Sequence, residues 1–302
     1  MAEGLPHQVL KERGLAVKFQ TDDVGVFVSH QWSGRDHADP EFRQLHVLQG
    51  ALNSLANGTL QIEVDVFSKM VLGMKPSITI ESLSVLRSGV IWYDYFSIPQ
   101  PGVTTKSGTQ EELANDLGRA VASLASYVDL CRFFVVLAPA VQHEDGRLLD
   151  LMSWKARGWC RFERLARQLA TPGGPMLLVK RPDVVFEIGA QEYLLDPVGA
   201  GHFRDEGDRA QLSPIIRQML ARKMDRLLAD GEVDNFRRLL SWCPTLLEGL
   251  DISWQSALEP ALQRAADRGQ AAESPLSVLS SGLLGPDPLL VAAGLGDIAL
   301  VR

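Results

Sequence analysis

The chain is poor in several features that would each point to a definite class of protein. It holds three cysteines, Cys131, Cys160 and Cys243, far apart in sequence and odd in number, with no Cys-x-x-Cys pair. That suits reduced thiols in a reducing compartment and offers no zinc framework. No run approaches the roughly 20 apolar residues of a membrane helix. The polar stretch Met1 to Gly14 lacks the apolar core of a signal peptide. A soluble, cytoplasmic protein with no membrane partner is therefore expected. Long basic runs are also missing and the net charge is −7, so no nucleic-acid partner held through phosphate contacts is expected. Arg217, Arg222, Lys223 and Arg226 interleave with apolar residues and read as a solvated helix face. Gly-x-Ser-x-Gly, the P-loop and Gly-x-Gly-x-x-Gly do not occur, and Gly173-Gly174 between prolines reads as a turn.

A hydrophobic content of 46% over 302 residues is enough for one large core or two medium ones. Val24 to Ser29 is β-branched and aromatic and reads as a first core strand. Pro40 to Asn57 carries Phe42, Leu45, Leu48, Leu52 and Leu55 at three- and four-residue steps, the period of an amphipathic helix. Leu60 to Leu72 reads as a possible inserted helix and Glu81 to Leu86 as a short one. Val90 to Tyr95 forms the second strand, Glu111 to Val128 one amphipathic helix and Phe133 to Leu137 the third strand. Val141 to Lys155 is expected to be a loop with a helical turn, Gly158 to Ala170 a helix and Met176 to Val179 the fourth strand. Strands alternating with helices predict an α/β fold built on a doubly wound parallel sheet, over residues 20–200.

Residues 205–302 read as helical, opening with a long helix over Leu212 to Ala229. Asp230 to Leu240 and Pro288 to Arg302 resemble the later half of an ankyrin repeat, and Leu262 to Gly269 a degenerate unit between them. Gly231 and Gly296 lie 65 residues apart, close to two periods of about 33. The last unit stops in mid-helix at Arg302, so the natural chain is expected to continue.

The most informative stretch is Arg157-Gly158-Trp159-Cys160-Arg161-Phe162-Glu163-Arg164. It places Glu163 in the first turns of a helix that follows a strand and a loop, the edge where open α/β sheets bind ligands. A carboxylate there can be a general base, a ribose ligand or a charge favoured by the helix dipole. Trp159 and Cys160 read as packing residues. Ser29, His30 and Trp32 end the first strand and Asp94 ends the second, on the same edge. His30 could hydrogen-bond phosphate or ribose, Trp32 could stack on a ring, and Asp94 could bind ribose or cap a turn with Ser97. His30, His37, Asp39 and His46 match no metal-site spacing, so no metal is expected.

Together these pieces resemble the TIR domain. Val26 to Ser29, Ile91 to Tyr95, Phe133 to Ala138 and Met176 to Val179 look like its first four strands. Trp159-Cys160-x-x-Glu163 matches the Trp-Cys-x-x-Glu pattern of plant-type members. Ile91 to Gln100 also resembles the signature of fungal HET domains, and Ser29-His30-Gln31-Trp32 is compatible with both. Gly25 departs from the family's usual aspartate at the head of the first strand. The resemblance implies a TIR/flavodoxin-like fold, self-association, and hydrolysis of NAD as substrate with no resident cofactor. Glu163 would be the catalytic carboxylate, with Ser29, His30, Trp32 and Asp94 shaping the NAD pocket. The ankyrin-like tail implies a protein partner. The rivals are a non-enzymatic adaptor and a nucleotide sensor without turnover.

Overall fold

Gly25–His30 forms β1, a strand buried along its whole length, as expected for the middle of a parallel sheet covered on both faces. The computed structural model describes residues 4–64, 69–70, 73, 75–100, 103, 110–171, 173–189 and 196–267. The other strands in chain order are β2 (Glu63–Val64), β3 (Val90–Tyr93), β4 (Phe133–Leu137), β5 (Val141–Gln142), β6 (Leu148–Leu149), β7 (Met176–Arg181) and β8 (Val184–Ile188). The helices are α1 (His7–Glu12), α2 (Arg43–Ala56), α3 (Ile80–Leu83), α4 (Asp94–Ser97), α5 (Gln110–Ala122), α6 (Leu124–Leu130), α7 (Leu151–Ala156), α8 (Gly158–Leu169), α9 (Gly207–Ala229), α10 (Val233–Leu246) and α11 (Trp254–Asp267).

Six strands form one sheet in the order β2-β8-β7-β4-β1-β3. Its ladders are parallel except between β7 and β8. The four strands expected from sequence therefore lie in the order second-first-third-fourth, a doubly wound arrangement whose strand order reverses between β1 and β4. Aromatic rings stitch the centre. Phe27 stands opposite Trp92 on β3 and Phe134 on β4, with ring centroids 4.3 and 5.3 Å away. Leu48, Ala51 and Leu55 of α2 share a core with Val26, Val28, Val135 and Leu177 of the sheet. Gly25 is a glycine because a Cβ there would lie 3.0 Å from the Cys131 Cα.

Several local expectations are corrected. The single helix expected over Glu111 to Val128 is two, α5 and α6, meeting at Ser123, whose N–H is shared between the Arg119 and Ala120 carbonyls. The loop expected after β4 is a hairpin, β5–β6, followed by α7. Its turn contains Gly146 at φ 90°, a conformation glycine adopts without steric cost. Strand β8 was not anticipated. Pro182, which reads as a strand terminator, begins the tight turn that folds β8 back on β7. Within the described part of 60–72, Glu63–Val64 forms the two-residue strand β2 and residues 69–70 are helical, so the inserted helix expected there is met only in part.

The buried carboxylate of Glu187 on β8 fastens the segment after β2. It accepts the Ser77 N–H at 2.8 Å, the Ser77 hydroxyl at 2.8 Å and the Ile78 N–H at 3.0 Å. Glu187→Ala leaves those donors unpaired and is expected to cost about 2 kcal/mol in a denaturant titration.

The chain divides into two compact units. Residues 1–156 and 172–192 make the first, and residues 157–171 and 193–302 the second. Helix α8, which sequence order inserts between β4 and β7, falls in the second of these units. The reason lies in its side chains. Trp159 Nε1 donates to Asp208 on α9 at 2.7 Å. Arg161 donates to the Pro197 carbonyl at 2.8 Å, and buried Arg164 to the Asp196 carbonyl at 3.0 Å. Gly158 is packed against the Phe203 ring so closely that no Cβ could be added. In the same unit, α9 and α10 are joined by a short turn with Gly231 at φ 73°. The ankyrin-like segment Pro288 to Arg302, with Gly296, lies outside the described residues. No described helix is long and apolar enough to cross a membrane.

Candidate functional site

The carboxyl ends of β1 and β3 bring three of the expected site residues together in the first unit. Because the strands run parallel with Val28 opposite Tyr93, the chain that continues from each delivers His30, Trp32 and Asp94 to one place. His30 Nε2 donates to Asp94 Oδ1 at 2.7 Å, and Trp32 Nε1 donates to Asp94 Oδ2 at 2.7 Å. The Tyr95 N–H adds a third bond to Oδ1 at 2.6 Å. Asp94 is thus the first residue of α4, its two oxygens filled from three directions. Ser97 serves the same turn, its hydroxyl accepting the Tyr93 N–H at 3.1 Å.

Burial opposes ionisation of Asp94, but the His30 charge and the hydrogen bonds from His30, Trp32 and Tyr95 outweigh it and hold the carboxyl below its usual range. A depressed folded pKa adds stability that is fully present above the unfolded carboxylate value of about 3.9 and is lost as pH falls through the lower folded value. Wild-type protein is therefore expected to exceed Asp94→Asn in thermal midpoint at pH 6. The gap should narrow below about pH 4 in paired melts.

The other face of His30 meets Tyr93. Their rings stack at 4.0 Å, and the Tyr93 hydroxyl lies 3.2 Å from His30 Nδ1. Burial, then the charges of Asp94 and Asp39, push the Tyr93 phenol well above its ordinary value, so it stays a neutral hydrogen-bonding group. Ser29 is wholly buried, and its hydroxyl accepts the Trp154 indole N–H at 3.1 Å. Gln100 ties down the loop beyond α4 by donating to the Asp94 and Ile98 carbonyls. Tyr93, Trp154 and Gln100 were not singled out from sequence. Tyr93 carried a signal as the residue before Asp94 on the same strand, and Gln100 as the last residue of the HET-like stretch Ile91 to Gln100.

A polar crevice of about 240 Å³ opens beyond the ends of β1 and β4, where the strand order reverses. Ser33, Asp39, Glu41 and Arg43 line one side, and His143 and Glu144 from the β5–β6 hairpin line the other. The Glu144 N–H donates to the Ser33 carbonyl at 2.8 Å and closes the base. Asp39 is held by the Leu45 N–H at 2.8 Å, and His37 Nδ1 accepts the Asp39 N–H at 2.9 Å. His46 is exposed on α2. No group of three or more metal-ligating side chains comes together among the described residues.

Glu163 sits half-buried in the second turn of α8, in the second unit. Its neighbours Arg161 and Arg164 both approach the Asp196 carboxylate. Compared with protein-family models, with curated proteins and with solved structures, the chain matches none.

Proposed function

We propose that the chain is an intracellular signalling protein whose TIR-like domain hydrolyses NAD to nicotinamide and an ADP-ribose product. The observation that carries this reading is the crevice at the point of strand reversal, flanked by the His30–Trp32–Asp94 cluster on the same sheet edge. Open α/β sheets bind ligands there. The chemistry is ascribed, through the resemblance alone, to the Trp159-Cys160-x-x-Glu163 motif, which lies in the second unit. As the bond between ribose C1 and nicotinamide breaks, positive charge develops on the ribose and nicotinamide leaves as a neutral base. A carboxylate at Glu163 stabilises that charge, water adds to C1, and a proton is released. The resemblance assigns the shaping of the NAD pocket to His30, Trp32 and Asp94, with Ser29 behind them, although the crevice itself is lined by Ser33, Asp39 and their neighbours.

The crevice, about 240 Å³, is smaller than the pockets of about 300–1,000 Å³ that enclose drug-sized ligands. A dinucleotide therefore needs further walls, which self-association supplies. The helical region with its ankyrin-like repeats acts as the arm that binds a protein partner. The test is nicotinamide release measured across protein concentration. Release per molecule that climbs as copies associate supports this reading, and none from folded, associated protein removes it.

A second reading, a non-enzymatic adaptor, is favoured by one observation. Both Asp94 oxygens already hold donors from the chain itself, and His30 and Ser29 are buried. In that reading the cluster stiffens a surface through which copies associate.

A further inference from the structure

A second and larger cavity, about 550 Å³, lies on the other side of α2, between that helix and β3. Its volume is in the range of small-molecule sites, and its lining is mostly apolar, as such sites are. The shape is that of a slot. Leu45, Leu48, Leu52 and Ala56 line it along a single face of α2, a span of about 16 Å at the rise of an α-helix. Ile91 of β3, 41% exposed, and Phe96 form the opposite wall.

The slot has unlike ends. The end near Leu45 is mostly apolar, with Gln49 and Asn53 of α2 as further polar lining residues. The other holds Asn57 and Arg87. Arg87 Nε donates to the Ala56 carbonyl at 3.1 Å and Nη2 to Asn57 Oδ1 at 3.2 Å. Both acceptors are neutral, and no carboxylate pairs with Arg87 among the described residues. The carbonyl end of α2 is otherwise closed, since the Asn53, Ser54 and Leu55 carbonyls accept N–H groups of Asn57, Thr59 and Gly58. The guanidinium therefore has spare donors at the mouth of an apolar slot.

We propose that this slot binds a free long-chain carboxylate, its hydrocarbon along α2 and its head group on Arg87. The proposal stands apart from the NAD reading, because the slot and the crevice share no lining residue. The ligand would also rest on Tyr93, which lines the slot and carries His30 on its hydroxyl and ring.

The test is calorimetric titration of the full chain with dodecanoate below its micellar concentration, beside decanoate and dodecanol. Saturable one-site binding is expected, gaining about fourfold per added methylene. Dodecanol and the Arg87→Gln variant should each lose about tenfold, the worth of a charge-assisted hydrogen bond, with Arg87→Lys restoring part of it. Leu52→Trp, placed to fill the slot, should abolish binding while the thermal midpoint and circular dichroism stay near wild type. The proposal is overturned by absence of saturable binding to folded protein, by equal affinity for dodecanoate and dodecanol, or by attachment only to bilayer vesicles. If Leu52→Trp fails to fold, the exposed Arg87 variants still decide it.

Discussion

Glu163→Gln is expected to lower nicotinamide release from NAD at least about a hundredfold, because the neutral amide cannot stabilise an oxocarbenium-like charge. The substitution keeps size and hydrogen-bonding reach, so α8 should remain in place. Its hold on the helical unit comes from Trp159, Arg161 and Arg164 through Asp208, Pro197 and Asp196, and not from the substituted carboxylate alone. The loss should fall on kcat more than on KM, since the charge exists only in the transition state. Matched thermal midpoints for the two proteins would tie it to chemistry. Release unchanged in a folded Glu163→Gln protein would transfer any activity to other residues and leave Glu163 a structural charge.

Asp94→Ala should produce the largest stability loss among the clustered polar residues, about 3 kcal/mol. Its carboxylate holds three donors on different segments: the His30 imidazole, the Trp32 indole and the Tyr95 backbone. Removing it strands two part-buried side-chain donors in a site walled by Tyr93 and Tyr95. Asp94→Asn keeps the volume and one acceptor, and should lose less. Guanidinium titrations of the three proteins should show a lower midpoint at unchanged slope. A loss under about 1 kcal/mol for Asp94→Ala would mean that His30 and Trp32 find other partners, and would undo the description of Asp94 as the hub.

The parallel sheet was legible because its strands announce themselves. Val26-Phe27-Val28 and Phe133 to Leu137 are unbroken apolar runs, and only a strand buried on both faces needs that pattern. The period of α2 was equally plain. What escaped the sequence was short or long-range. β2, β5 and β6 are two residues each, too brief to show alternation. β8 was hidden behind Pro182, whose role as a turn residue depends on the partner strand. At the site, His30, Trp32 and Asp94 could be assigned to one edge from strand order. The indole of Trp32 was read as a ring for stacking, yet its N–H serves Asp94. That pairing spans 62 residues and leaves no local trace. The grouping of α8 with α9 was likewise invisible, because Asp196 and Asp208 look like any surface acids until the arginines and the indole reach them.

The most direct measurement of the central claim is chromatographic detection of nicotinamide after incubating NAD with the purified chain, under conditions where it self-associates, beside Glu163→Ala at the same degree of association. Release by the wild type and none above background by the variant is the expected result. Well-folded, associated wild-type protein that releases no nicotinamide would contradict it and leave the adaptor reading in its place.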